Sequence, residues 1–282
     1  IHQGLVHDPS VSRRAFGLMT VALTGVATVA RADETVVEKD VEIKTPDGTA
    51  DAALFYPKAK GKFPAVLLWP DVMSLRPVFR DMGRRLAAAG YVVLVPNLYY
   101  RVQKAPVIQG SFNFANPDDR AKLMPMRATV TPEGTAKDAV AYLAFLDAQP
   151  QTNTAKKAGV QGYCMGGPLS FQTAAAVPNR IGAVASFHGG GLLTAKPDSP
   201  HLLLPKTKAA YLIEIADNDD KQDPTVKDKL KAAFAEAKLP AQVEVFEGAN
   251  HGWTVKGSQV YNEAAAETAW ANLLALYKKA LG

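Results

Sequence analysis

Gly162-Tyr163-Cys164-Met165-Gly166-Gly167 carries the pattern G-x-C-x-G between a short apolar run ending near Gln161 and a helical stretch over 165–176. A strand that turns sharply into a helix leaves its turn residue projecting, and glycines two positions either side let the neighbouring backbone close in. The pattern therefore predicts a strained elbow that presents the Cys164 thiol at a helix N-terminus. There the partial positive charge favours a thiolate, and the Met165 N–H is free to face a developing oxyanion. Cys164 is the single cysteine of 282 residues, so a disulfide within the chain is excluded.

Upstream, 36–44 and 49–56 are strand-like runs either side of Pro46-Asp47-Gly48, a hairpin with glycine available for positive φ. The runs 65–69 and 91–95 are continuously apolar, as in strands covered on both faces. Between them Val78, Met82, Leu86 and Ala89 recur at helical spacing from Pro77, and Gly90 closes that helix. The stretch 96–130 reads as long and irregular, which in a compact domain signals a functional loop or disorder. Thr131-Pro132 starts a helix carrying Ala139, Val140, Leu143 and Leu146 on one face. Further strands are expected at 158–161, 181–187, 209–216 and 242–246, with helices at 165–176, 226–238 and 263–281. Alternation of this kind after an opening hairpin predicts an α/β fold, with about eight mostly parallel strands and helices on both faces.

Hydrophobic residues make up 48% of the chain and charged ones 21%, too apolar for disorder. The net charge is +5 and the pI about 9.1, but the basic residues are scattered. Arg80, Arg84 and Arg85 fall on a solvated helix face, so no nucleic-acid partner is expected. Ser12-Arg13-Arg14-Ala15-Phe16-Gly17-Leu18 precedes a moderately apolar run that ends at Ala30-Arg31-Ala32. Residues 1–32 thus read as a twin-arginine signal peptide cleaved after Ala32, with the protein expected in the periplasm or otherwise exported by that route. That run is short for a membrane span, and none is expected after its removal. Residues 33–282 are expected to form one domain.

An elbow nucleophile needs a base and an acid downstream. Beyond the leader the histidines are His188, His201 and His251. His251 lies in Gly248-Ala249-Asn250-His251-Gly252-Trp253, directly after the last expected strand, and is the expected base. His188, in Phe187-His188-Gly189-Gly190-Gly191, is the second candidate or a pocket residue; His201 reads as structural. The strand ending at Ala216 runs into Asp217-Asn218-Asp219-Asp220, where Asp219 is the first choice of acid, with Asp220 and Asp217 behind it. A calcium loop fails there, because Lys221 and Gln222 stand where a ligand and a glycine are needed.

The elbow, Ala249-Asn250-His251-Gly252, and Leu86-Ala87-Ala88-Ala89-Gly90-Tyr91 with Pro96-Asn97-Leu98-Tyr99 together resemble the dienelactone hydrolase family across essentially all of 33–282. The resemblance implies an α/β-hydrolase fold and a triad of Cys164, His251 and Asp219. It also implies a thiol-contacting acid at Asp71, where the family has glutamate, and a second oxyanion donor at the Val72 N–H. Val255 stands where lactone-cleaving members carry an arginine for the substrate carboxylate. For a second family arginine Arg120 is the match and Arg127 a weaker one. Trp253 with Tyr99, Tyr100, Phe112 and Phe114 suggests a larger or less charged ligand, so Arg120, Tyr99, His188 and Trp253 are the expected pocket.

These readings converge on hydrolysis of a small-molecule ester or lactone through a thioester, with no metal or organic cofactor required and the oligomeric state open. Two other classes share the features: a ligand-binding protein on the same fold, and a thiol peroxidase or redox sensor. The latter lacks a second cysteine to resolve a sulfenic acid within the chain.

Overall fold

The structure, a computed structural model, describes residues 35–110 and 112–282. The expected signal segment, 1–32, lies outside them. Eight strands form one sheet, in the spatial order β1(Val36–Thr45), β2(Gly48–Pro57), β4(Val92–Pro96), β3(Ala65–Trp69), β5(Ala158–Tyr163), β6(Ile181–Phe187), β7(Ala210–Ala216), β8(Ala241–Phe246). The hairpin β1–β2 and the β2–β4 pair are antiparallel; every pair from β4 to β8 is parallel. Strands β3, β4 and β5 are buried along their whole length, which accounts for their unbroken apolar runs.

Helices α1(Pro77–Ala88) and α7(Glu263–Leu281) cover one face, with Phe79, Leu86, Leu273 and Tyr277 inward. The other face is covered by α3(Pro132–Asp147), α4(Gly166–Ala176) and α6(Val226–Glu236), through Leu143, Phe171 and Phe234 among others. Each such buried Leu or Phe contributes about 1.5–3 kcal/mol of transfer free energy. Val140 departs from the expected inward face of α3 and is 51% exposed; Tyr142 packs inward in its place.

The chain passes from β3 out to β4, then back across β3 to β5. Connections leaving in opposite directions open a crevice at the carboxyl ends of β3 and β5. Trp69 and Gly162 face each other there, at the ends of paired strands. The stretch read as irregular from 96 to 130 holds one further helix, α2(Pro117–Arg127). Its interior Pro125 and polar sequence hide it from periodicity. The available signal was Asn116-Pro117: the Asn116 side chain caps Asp118 N at 2.8 Å, and proline takes the first turn.

Glu214, on β7, is fully buried, with Asn272 Nδ2 of α7 donating to its Oε1 at 3.0 Å. Burial pushes its pKa up to about 7 from an ordinary 4.5. The folded state therefore holds a proton that the unfolded chain releases, so stability present below about 4.5 falls as pH rises through about 7. The loss amounts to about 3 kcal/mol. Glu214→Gln should remove that part of the decline, read as the change in urea midpoint between pH 4 and pH 8; an unchanged decline would refute it.

Candidate active site

Cys164 sits between β5 and α4 with φ of 52°, a left-handed conformation costly for a non-glycine residue. Its N–H donates to Phe187 O at 3.0 Å, and Gly167 N–H donates to Cys164 O at 3.1 Å, so the strained turn is held from both sides. The glycines are required by space: a Cβ on Gly162 would lie 1.9 Å from Gly166 O, and one on Gly166 would lie 2.4 Å from Trp69 O. The thiol is partly exposed at the crevice.

His251 reaches this point from the loop after β8. Its Nδ1 is 2.6 Å from Asp219 Oδ2, and the Cys164 thiol lies close enough to favour its charged form. Because Nδ1 is engaged by the carboxylate, Nε2 is the nitrogen left to face sulfur. The loop is pinned to the end of β7 twice more: Asn218 Oδ1 accepts from His251 N at 2.8 Å, and Asp217 N donates to Ala249 O at 2.8 Å. Three neighbouring acids on the short helix α5(Asp217–Gln222) are thereby told apart. Asp219 meets the histidine, Asp220 is bound by Lys227 Nζ at 2.8 Å, and Asp217 is bound by Lys221 at 2.6 Å.

Burial works against a charge on His251, but the hydrogen bonds to Asp219 and Cys164 and their negative charge outweigh it, raising its pKa to about 10. The contribution of this imidazolium to stability is complete below about 6.5 and is lost as pH rises through about 10. In an Asp219→Asn variant the His251 titration, followed by NMR of its ring protons, should move down toward its ordinary 6.5. No movement would mean that Asp219 does not govern the proton.

Val72 and Met165 present the remaining groups. Among the described residues neither Val72 N–H nor Met165 N–H donates to a backbone acceptor outside regular elements. Tyr99 donates its hydroxyl to Val72 O at 2.6 Å, fixing that residue from behind. Tyr99 is thus a buried support of the loop more than a pocket wall. Burial, then the charge of Asp71, holds its hydroxyl above the ordinary range, with Arg127 opposing and Cys164 reinforcing.

Three expected positions are corrected. Asp71 is clamped by Arg76, whose Nη1 and Nη2 lie 2.5 and 2.8 Å from its two oxygens, and it accepts from Met73 N at 2.9 Å. Among the described residues no hydrogen bond joins it to the Cys164 thiol. A shorter carboxylate with a guanidinium five residues ahead is drawn into its own loop. Arg120 lies on the exposed side of α2, donating to Phe114 O at 3.3 Å; it is Arg127, at the other end of that helix, that lines the cleft beside Met165. Trp253 is fully buried, stacked on Phe246 at 5.1 Å, and offers no surface to a ligand.

His188 is buried behind the site, its ring 5.0 Å from that of His251 and its Nε2 2.8 Å from Thr254 Oγ1. Burial, reinforced by the charge on His251, drives its pKa well below 6.5, so it is a neutral packing partner. His201 bonds Ser199 Oγ through Nδ1 at 2.7 Å, a structural role. Val255 is buried in the core beneath α7. Sequence reasoning missed Asn218 and Arg76, whose roles arise only when separate loops meet.

A cleft of about 350 Å³ opens beside Met165, between α4 and the segment from the end of α2 to the start of α3. Among the described residues no helix is long and apolar enough to cross a membrane.

The model of the dienelactone hydrolase family matches residues 50–281. A protein of Bradyrhizobium provisionally named a 2-oxo-3-(5-oxofuran-2-ylidene)propanoate lactonase is 24% identical over 249 residues, covering 86% of this chain and 94% of that one. One of Saccharolobus solfataricus, provisionally named a carboxymethylenebutenolidase, is 26% identical over 244 residues, covering 76% and 89%. The crystal structure of a Klebsiella pneumoniae protein provisionally named a dienelactone hydrolase superposes with a TM-score of 0.74 at 22% identity, covering 86% of this chain and 99% of that one.

Proposed function

The chain belongs to the dienelactone hydrolase family, and from that premise we propose that it cleaves a small-molecule ester or lactone with Cys164 as nucleophile, His251 as acid and base, and Asp219 as the orienting acid. The observation that carries this reading is the convergence on the Cys164 elbow of His251, held to Asp219 at 2.6 Å.

In the first half-reaction the Cys164 sulfur, its proton on His251, attacks the carbonyl carbon, and the carbonyl π pair moves onto oxygen. That oxyanion is placed between Met165 N–H and Val72 N–H, fixed dipoles that need no reorganisation as charge develops. Collapse expels the alkoxide, which takes the proton from His251 Nε2; in a lactone the leaving oxygen stays tethered to the acyl group. In the second half, Nε2 removes a proton from water, the hydroxide attacks the thioester, and the thiolate leaves with the acid as product. Asp219 holds the ring in the tautomer that leaves Nε2 facing the reaction and stabilises the imidazolium.

Two features bear on the substrate. Val255 replaces a cation by a buried apolar side chain, while Arg127, lining the cleft, has no ion pair among the described residues. A neutral or singly anionic ester or lactone suits this balance better than one needing two clamps.

Rapid quenching of the protein with p-nitrophenyl acetate, followed by peptide mass spectrometry, is expected to find an acetyl group on the peptide carrying Cys164. Continued nitrophenol release with that peptide unmodified at every time point would overturn the reading.

A further inference from the structure

Val72 N–H, the second proposed oxyanion donor, sits in a turn, 70–76, that the chain would not adopt unaided. Ser74 is fully buried with φ of 62°, a left-handed conformation that persists in a non-glycine residue only where its surroundings impose it. Its hydroxyl is one constraint, donating to Asn97 Oδ1 at 3.0 Å and accepting from Leu98 N–H at 2.8 Å. The others centre on Asp71. Its backbone carbonyl accepts from Ser74 N–H and its Oδ1 from Met73 N–H, both at 2.9 Å, so two successive N–H groups are turned inward. Val72 N–H is not drawn in with them, and has no acceptor among the described residues.

Arg76 closes the turn from its far end. Its guanidinium takes both oxygens of Asp71, reaches Ser74 O with Nη1 at 3.3 Å, and lies 4.9 Å over the ring of Phe79, which is fully buried on α1. A planar fork that grips a carboxylate through two bonds fixes direction as well as distance. The grip therefore ties carboxylate, turn and helix into one body. The turn also follows directly on Trp69 and Pro70, whose carbonyl oxygens press on the elbow; a Cβ on Gly166 would lie 2.4 and 2.7 Å from them. Any shift of the turn is thus a shift of Val72 N–H relative to Cys164.

We infer that Arg76 and Asp71 are a positioning pair for the oxyanion donor: their ion pair holds the turn so that Val72 N–H is aimed at the developing charge before it forms. The assignment rests on the reading of Cys164 as nucleophile, and it gives Asp71 a role other than contact with the thiol. Both residues act through Val72, not on the substrate. Fixed dipoles stabilise an oxyanion because they need no reorganisation, and a misplacement of about 1 Å costs about a hundredfold in rate.

Arg76→Gln and Asp71→Asn should each lower kcat for p-nitrophenyl acetate about a hundredfold, with KM within about threefold of the wild type. The double variant should be no slower than either, since one clamp is lost in all three. Trifluoroacetophenone, which adds reversibly to the Cys164 sulfur and leaves its oxygen in the oxyanion site, gives a readout that lost packing alone would not move. Ionisation of that adduct, followed by fluorine NMR, should occur about two pH units higher in the variants, the same hundredfold. If Arg76→Gln fails to fold, Arg76→Lys carries the test: a point charge without the fork should cost about tenfold in kcat. The proposal is overturned if kcat and the adduct's ionisation stay at wild-type values, or if the two substitutions multiply in the double variant. It is also overturned if Asp71→Asn alone shifts the pH profile of Cys164 alkylation by iodoacetamide, which would return Asp71 to the thiol. Those results with an adduct formed on Cys164 would remove the clamp alone; turnover by a wild type that forms no adduct would remove the nucleophile assignment instead.

Discussion

Cys164→Ala is expected to lower kcat for p-nitrophenyl acetate by about four orders of magnitude while the protein stays folded. Alanine accepts the same left-handed backbone no worse than cysteine, since both carry a Cβ, and the φ of 52° is imposed by hydrogen bonds on either side of the turn. The oxyanion donors and the His251–Asp219 pair remain in place, so what disappears is the covalent route. Residual turnover would come from binding and the N–H groups acting on attack by water. Cys164→Ser should recover little, because the histidine and acid are set to draw a proton from a thiol, a far stronger acid than an alcohol. Steady-state kinetics on purified protein checks this, with circular dichroism to verify the fold; activity within tenfold of the wild type would exclude Cys164 as the nucleophile.

The second large effect is on folding. A methyl on Gly162 would lie 1.9 Å from Gly166 O, 2.2 Å from Gly166 C and 2.7 Å from Ser170 Oγ. The first two are backbone atoms of the turn into α4, so relief requires moving the elbow away from β3 and β5. Gly162→Ala is therefore expected to cost more than about 4 kcal/mol, enough to leave little folded protein. Gly190 is the control, with nothing within 4 Å of an added Cβ; Gly190→Ala should change stability by no more than about 0.5 kcal/mol. Soluble expression and urea midpoints of the two variants decide it, and equal midpoints would contradict the steric account.

The elbow, the β/α alternation and the histidine loop were legible in the sequence because each depends on short-range rules. Glycine spacing marks a tight turn, unbroken apolar runs mark strands buried on both faces, and Thr131-Pro132 marks a helix start, as the Thr131 cap shows. The helix at Pro117–Arg127 escaped because Pro125 and a polar composition obscure its period, although Asn116-Pro117 signalled its start.

The site itself divides along the same line. Local pattern pointed to Cys164 and His251, and ranked Asp219 ahead of Asp220 and Asp217 as the acid. What only the tertiary structure decided is which partner each acid meets: successive residues on a helix point about 100° apart, and of the three it is Asp219 that bonds the imidazole. The same holds for Asp71, whose guanidinium partner Arg76 holds its carboxylate in its own loop, and for Arg127, which α2 brings to the cleft while Arg120 is exposed. Trp253 looks like a ligand-binding aromatic in sequence and is a buried wall in the fold. Chain-local geometry and hydrophobic period are encoded residue by residue, whereas pairing of charges across loops is settled by distances that exist only once the sheet has brought its strand ends together.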